Sequence, residues 1–370
     1  MKFIIFLTSF LCFQASASER TKAYNLHNRI TGVPPSDAVL NQMEQRIIAG
    51  DIESAADLAM QSPYFYNLVL KNWFKTWSNQ EATSRVPLND FVATLIGVVK
   101  DELPFRIVLF GDIIYTAQQN GLTAYSTANN QHYEELEASG SSLASVLTQR
   151  VQSNLNGIAD SAGVLTTRAA GEAFYSAGTN RRVTRYTFMN FLCKDFEELH
   201  DINIPDYRVR RDVDRKPGGD SRTYRNKCLG CHAGQDALGG AFAYFDFVDG
   251  ELKYTPGVVA EKINNDNLYS AGHITVDNSW LNLWATGQNA SLEWSGPQSG
   301  AGVRSLGTML SSSGAFPKCM AKKVYEKFCL NKVESSSDIS IVNQLATEFT
   351  NSNFNMKVLI KKATSTCVGE

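Results

Sequence analysis

Apolar residues recur at helical spacing along most of the chain. Val39, Leu40, Met43 and Ile47 form one stripe, with Ser36 placed to cap the helix and Gly50 to end it. A second helix is predicted over 52–60. A third follows Pro63 and carries Tyr66, Leu70, Trp73, Phe74 and Trp77. Phe91, Leu95 and Val98 share a face of a fourth, capped by Asn89 or Asp90, and Pro104 begins a fifth that ends near Tyr115. Residues 116–170 are rich in Ser, Thr, Asn, Gln and Ala, which predicts a polar connection holding one helix near 133–156. Phe188, Phe191, Leu192 and Phe196 mark a helix over 180–197. The stretch 260–303 is loop-rich, and the end is helical over 303–312, 316–331, 337–350 and 354–366.

The clearest strand pattern is Ala241–Phe247. Asp249-Gly250 then suits a tight turn, and Glu251–Tyr254 would return. The expected fold is therefore mainly α: a helical, multi-segment protein with one small β-hairpin.

Composition is that of an ordinary globular protein of 370 residues, with a formal net charge of −2. So slight a charge argues against nucleic acid or a strongly anionic membrane surface as partner. Residues 1–17 read as a secretory leader. Lys2 supplies the basic start, Phe3–Phe13 the apolar core, and Ala15-Ser16-Ala17 a small-x-small site for cleavage after Ala17. That core is about half the roughly 20 residues needed to span a bilayer, and no other stretch is long and apolar enough to span. The expectation is a periplasmic protein with no membrane span.

One of the seven cysteines, Cys12, lies in the leader. Among the rest, Cys228-Leu229-Gly230-Cys231-His232 reads C-x-x-C-H, the pattern that attaches a c-type haem through two thioether bonds, with the following histidine on the iron. Chance would produce it in about two of every thousand chains of this composition. A zinc site would want a second ligand pair, and a thioredoxin-like dithiol a βαβ context; neither is present. Asp220 can cap a short helix, placing Cys228, Cys231 and His232 at i, i+3 and i+4 on one face. The expected cofactor is one covalent haem c.

Cys193, Cys319, Cys329 and Cys367 remain, an even number that in an oxidising compartment predicts two disulfides with three possible pairings. If the last three helices run up-down-up, Cys329 and Cys367 fall at the same end. A bond between Cys319 and Cys329 is excluded by about 15 Å of helix rise. That arrangement favours Cys329–Cys367 and leaves Cys193–Cys319.

His232 is the expected proximal iron ligand, and Asp236, one turn on, could orient its other ring nitrogen. For the distal side, His273 in a flexible-looking loop ranks first and Met309 on a helix second, with an open sixth position as the third possibility. The run from Asp206 to Lys227 holds eight basic and four acidic residues. It reads either as a solvated loop or as a source of arginines for haem propionates. Gly239-Gly240 could let backbone approach the haem ring, with the hairpin on its edge. No G-x-S-x-G, H-E-x-x-H or P-loop is present.

Cys228-x-x-Cys231-His232-x-x-x-Asp236-x-x-Gly239, followed by Phe245-Asp246 and Gly250, resembles the planctomycete-type cytochrome c proteins. These are exported bacterial proteins in which the haem segment is flanked by helical domains of unassigned function. Pro87–Thr94 with Pro104-Phe105, Gly163–Thr167, Arg181-Arg182, Ala315-Phe316 with Cys319, Phe328-Cys329 and Phe354–Ile360 extend the likeness over roughly 85–370. Gln235 stands where such proteins often carry Met. Three residues after His232, it could not reach the opposite haem face.

The resemblance implies a haem-bearing exported protein and supplies no substrate. The expected organisation is a leader (1–17), an N-terminal helical domain (18–160), a haem-bearing region (161–300) and a C-terminal helical segment (301–370). The expected function is electron transfer with a redox partner protein. The alternatives are a peroxidase-like enzyme with an open sixth site, and an envelope binding module with structural haem.

Overall fold

The computed structural model describes residues 17–368. The leader assigned to 1–17 thus lies, but for Ala17, outside the described residues. The chain is mainly helical, with three two-stranded antiparallel sheets. Among the described residues no helix is long and apolar enough to cross a membrane.

Local capping sets several helix starts where the sequence predicts them. Ser36 accepts from the Val39 amide and opens Asp37–Ile48; Asp51 accepts from Ser54 and opens Ile52–Met60; Asn89 accepts from Val92 and opens Asp90–Lys100. The helix Glu19–Thr31, capped by Ser18, was not anticipated. Its buried stripe is Ala23, Leu26, His27 and Ile30, with only two large apolar side chains.

The helix expected from Pro104 to Tyr115 does not form. The chain makes a single 3-10 turn, Phe105–Leu109, and then a strand, Ile114–Ala117, paired with Leu147–Arg150. This apolar run is buried on all sides, so its periodicity does not separate helix from strand. What decides is tertiary: the strand lies against Gly97, where a Cβ would sit 2.2 Å from the Tyr115 ring. The helix expected over 133–156 is cut by Gly140 at φ 67°, leaving Gln131–Ser139, a short turn and the second strand.

The hairpin forms as read from Asp249-Gly250. Phe245–Val248 pairs with Glu251–Tyr254, and both turn residues have positive φ. The strand starts later than expected, because Gly240–Phe242 is a 3-10 turn. A third pair, Ser279–Leu281 with Ser299–Ala301, was not anticipated.

At the C-terminus the helices Ala315–Cys329, Ser336–Asn351 and Met356–Cys367 pack together. Disulfides join Cys329 to Cys367 and Cys193 to Cys319, the pairing that the up-down-up arrangement favours. The last helix also packs on Ile52–Met60. Lys361 pairs with Asp57 at 3.1 Å, Lys362 with Glu53 at 2.7 Å, and Arg29 donates to the Cys367 carbonyl at 2.6 Å. One buried core runs from Ala23 to Val368, so the two ends of the chain share it.

Candidate haem-attachment site

The C-x-x-C-H segment sits where two helical stretches meet. Asp220 caps the first turn, accepting from the Arg222 amide at 2.9 Å. The chain then widens into a π turn, Tyr224–Cys228, before the regular helix Leu229–Gly239. Such π turns are frequent at functional sites.

Two glycines seat this helix. A Cβ at Gly230 would lie 2.7 Å from the His200 ring and 2.8 Å from the Asp201 amide; at Gly234 it would lie 2.1 Å from the Trp284 indole. Trp284 is fully buried. The glycine side of the helix therefore faces the core. Cys228, Cys231 and His232, all half-buried, fall on the other side, as the i, i+3, i+4 spacing requires.

The thiols differ from the other described cysteines, which are paired; Cys228 and Cys231 are free. The Cys231 thiol donates to the Phe196 carbonyl at 3.3 Å. Burial pushes its pKa up, and Glu197 and Asp195 push it further. Among the described residues no group of three His, Cys, Asp or Glu side chains converges as a metal cluster would. The zinc reading therefore gains no further ligands there.

Behind His232 lies a buried charge network. Asp236 accepts from Arg181 Nε at 2.6 Å and Nη2 at 2.9 Å, and from the Arg210 amide at 3.0 Å. Burial would raise its pKa, but the Arg181 charge, the neighbouring His232 ring, the Arg181 hydrogen bonds and the Arg210 charge hold it well below the usual carboxylate range. Arg181 also spans Asp212 with two further contacts. His232 Nδ1 is buried, has no hydrogen-bond partner among the described residues, and lies 3.8 Å from Asp236 Oδ2.

His273 joins this cluster through the segment 208–211. Its amide donates to the Val209 carbonyl at 2.9 Å, and its ring Nε2 lies 3.5 Å from Arg208 Nη1. Burial, then Arg208 and Arg210, lower its pKa, so the ring is neutral at pH 7. Met309 is elsewhere. It is 2% exposed, and its Sδ lies 3.9 Å from Asn282 Nδ2. Asn282 in turn accepts from the Trp284 amide, which places Met309 toward the glycine side of the helix.

The basic run is less solvated than its composition suggests. Arg210 is 1% exposed and donates to the Thr179 carbonyl. Arg215 stacks between Tyr224 and Tyr269 and donates to the Val209 and Val213 carbonyls. Arg222 is paired with Asp220. Arg208, Arg211, Lys216, Arg225 and Lys227 remain as surface or half-buried cations. Gly239 and Gly240 do provide close approach, but to protein: a Cβ would meet the Arg210 guanidinium at 2.8 Å and the Ser279 carbonyl at 2.1 Å. The hairpin packs on Gly171–Tyr175, with Phe247 against Gly171.

The residues present fit a tethered haem in their donor chemistry: two free thiols and an adjacent imidazole with one buried nitrogen. Ile202, Tyr207, Leu268, Tyr269, Ile274 and Val276 are exposed apolar side chains in the segments that carry Arg208 and His273. The sequence names Arg181 only within the family likeness and gives it no role, because its bond to Asp236 spans 55 residues and leaves no local signal. No family model, curated protein or solved structure matches this chain.

Proposed function

We propose that this chain is an exported monohaem c-type protein that carries electrons in the bacterial envelope. Cys228 and Cys231 would hold the haem by thioether bonds, and His232 would be its proximal ligand. Once bound, the group supplies a one-electron Fe(III)/Fe(II) couple. The observation that carries the reading is the pair of free, half-buried thiols on the same helix side as His232. Two disulfides elsewhere fit an oxidising compartment, where such attachment takes place. His273 stays the first choice for the sixth position by residue type, and would have to move from beside Arg208 and Arg210 to reach the haem face opposite His232.

A second reading rests on Arg208. A guanidinium N–H donated to His273 Nε2 occupies the lone pair that iron would need. The sixth position would then stay open to peroxide or a small gas. Ferric and ferrous absorption spectra of the purified exported protein separate the two. A low-spin, six-coordinate haem that cycles with mild reductants supports electron transfer. A five-coordinate haem that turns over peroxide moves the protein to the enzyme reading, and a colourless protein removes both.

A further inference from the structure

We propose that Asp236 is a positioning residue for His232, an anionic acceptor for its Nδ1–H that makes the ring a stronger donor to iron and keeps the haem potential low. This rests on the haem reading and deepens it.

His232 Nδ1 is buried without a hydrogen bond among the described residues, and a buried polar nitrogen left unpaired is costly. The Asp236 carboxylate lies one helical turn on, its side chain fully buried, with Oδ2 at 3.8 Å. That is beyond hydrogen-bond distance, so the bond requires the ring to turn toward Oδ2 once the haem is held.

Asp236 cannot turn away to another task. Arg181 grips both of its oxygens, Asp212 grips Arg181 from the far side, and the Arg210 amide fixes Oδ2. The Arg210 side chain is itself held by the Thr179 carbonyl. Two segments distant in sequence from Asp236, 179–181 and 210–212, thus converge to hold one carboxylate at the back of one imidazole. Carboxylates in this relation to a ligating histidine fix the tautomer and raise ligand basicity. A more basic axial ligand favours the ferric state, which lowers the midpoint.

The test is redox titration of the haem-loaded wild type and of Asp236→Asn. Asparagine keeps the shape and removes the charge. At any fixed applied potential the ferrous-to-ferric ratio should rise at least tenfold, which for a one-electron couple is a midpoint about 59 mV higher. Asp236→Asn leaves Arg181 buried without its anion, so the double variant Asp236→Asn/Arg181→Gln, which removes the pair together, should show a rise of the same sign. The wild type gives an independent reading: ferrous-state NMR should show a slowly exchanging His232 Nδ1–H with a cross-peak to Asp236. Haem retained with an unchanged midpoint in either variant, or a fast-exchanging Nδ1–H in the wild type, overturns the proposal. A wild type without covalent haem would instead sink the reading on which it rests.

Discussion

Gly234→Ala separates two opposing effects cleanly. In a helix interior, alanine is more favourable than glycine by about 1 kcal/mol, so propensity alone predicts a stabilised protein. The structure predicts the reverse. The added Cβ would sit 2.1 Å from Trp284 Cε2 and 2.5 Å from its Nε1, inside contact distance of a rigid, fully buried indole. Overpacking of this kind costs about 1–3 kcal/mol, and so close a clash with an unyielding ring belongs at the upper end. The net expectation is destabilisation of about 1–2 kcal/mol.

Urea unfolding of the two proteins, followed by far-ultraviolet circular dichroism, measures the difference. Trp284→Leu should cost about 3 kcal/mol alone, through the cavity it leaves. It should also absorb part of the Gly234→Ala penalty, so the double variant will be less damaged than the sum of the singles. A stabilised Gly234→Ala, or strict additivity, would refute the seating of helix Leu229–Gly239 on Trp284.

Non-reducing peptide mapping should return Cys193–Cys319 and Cys329–Cys367. In the chain-entropy model, losing these bridges, with separations of 126 and 38 residues, costs about 5 and about 4 kcal/mol respectively. Near-equal stability of Cys193→Ser/Cys319→Ser and wild type would count against that bridge. His27 is buried beside Thr31 and the Val33 carbonyl, and burial lowers its pKa below 6.5. The folded chain then binds fewer protons there than the unfolded chain, so this contribution is complete above about pH 6.5 and declines as the pH falls through it. His27→Gln should flatten the decline in urea midpoint between pH 7 and 5; an unaltered slope would contradict the assignment. Lys216, Arg225 and Lys227 are exposed and near the haem segment. Stopped-flow reduction by an anionic donor should slow as ionic strength rises from 0.01 to 0.1 M, where the screening length drops from about 30 to about 10 Å. A rate indifferent to salt would exclude docking through this patch.

Features set by neighbours in sequence were readable in advance, and those set by distant partners were not. Ser36, Asn89 and Asp220 cap their helices because the acceptor and the amide lie within three residues of each other. The hairpin follows from two residues that tolerate positive φ. The disulfides followed because their logic reduces to three consecutive helices. The segment after Pro104 was misread because its apolar pattern fits helix and strand alike, and the fit of Tyr115 against Gly97 decides. Arg210 and Arg215 were read within a charged loop. Their burial depends on distant partners: the Thr179 carbonyl, 31 residues from Arg210, and the Tyr224 and Tyr269 rings that sandwich Arg215. At the candidate site, Cys228, Cys231 and His232 were visible as a pattern, and Asp236 as its neighbour by one turn. The clamp that holds Asp236 was not visible, because Arg181 comes from another helix.

The central claim is a covalent haem, and the tryptic peptide that begins at Cys228 tests it most directly. The protein should be recovered from the periplasm of a host able to attach haem c, and that peptide weighed. The account predicts a mass greater than the bare peptide by one haem, with colour that stays with the peptide through acid-acetone extraction. A peptide carrying two free thiols, or a Cys228–Cys231 disulfide, would contradict it.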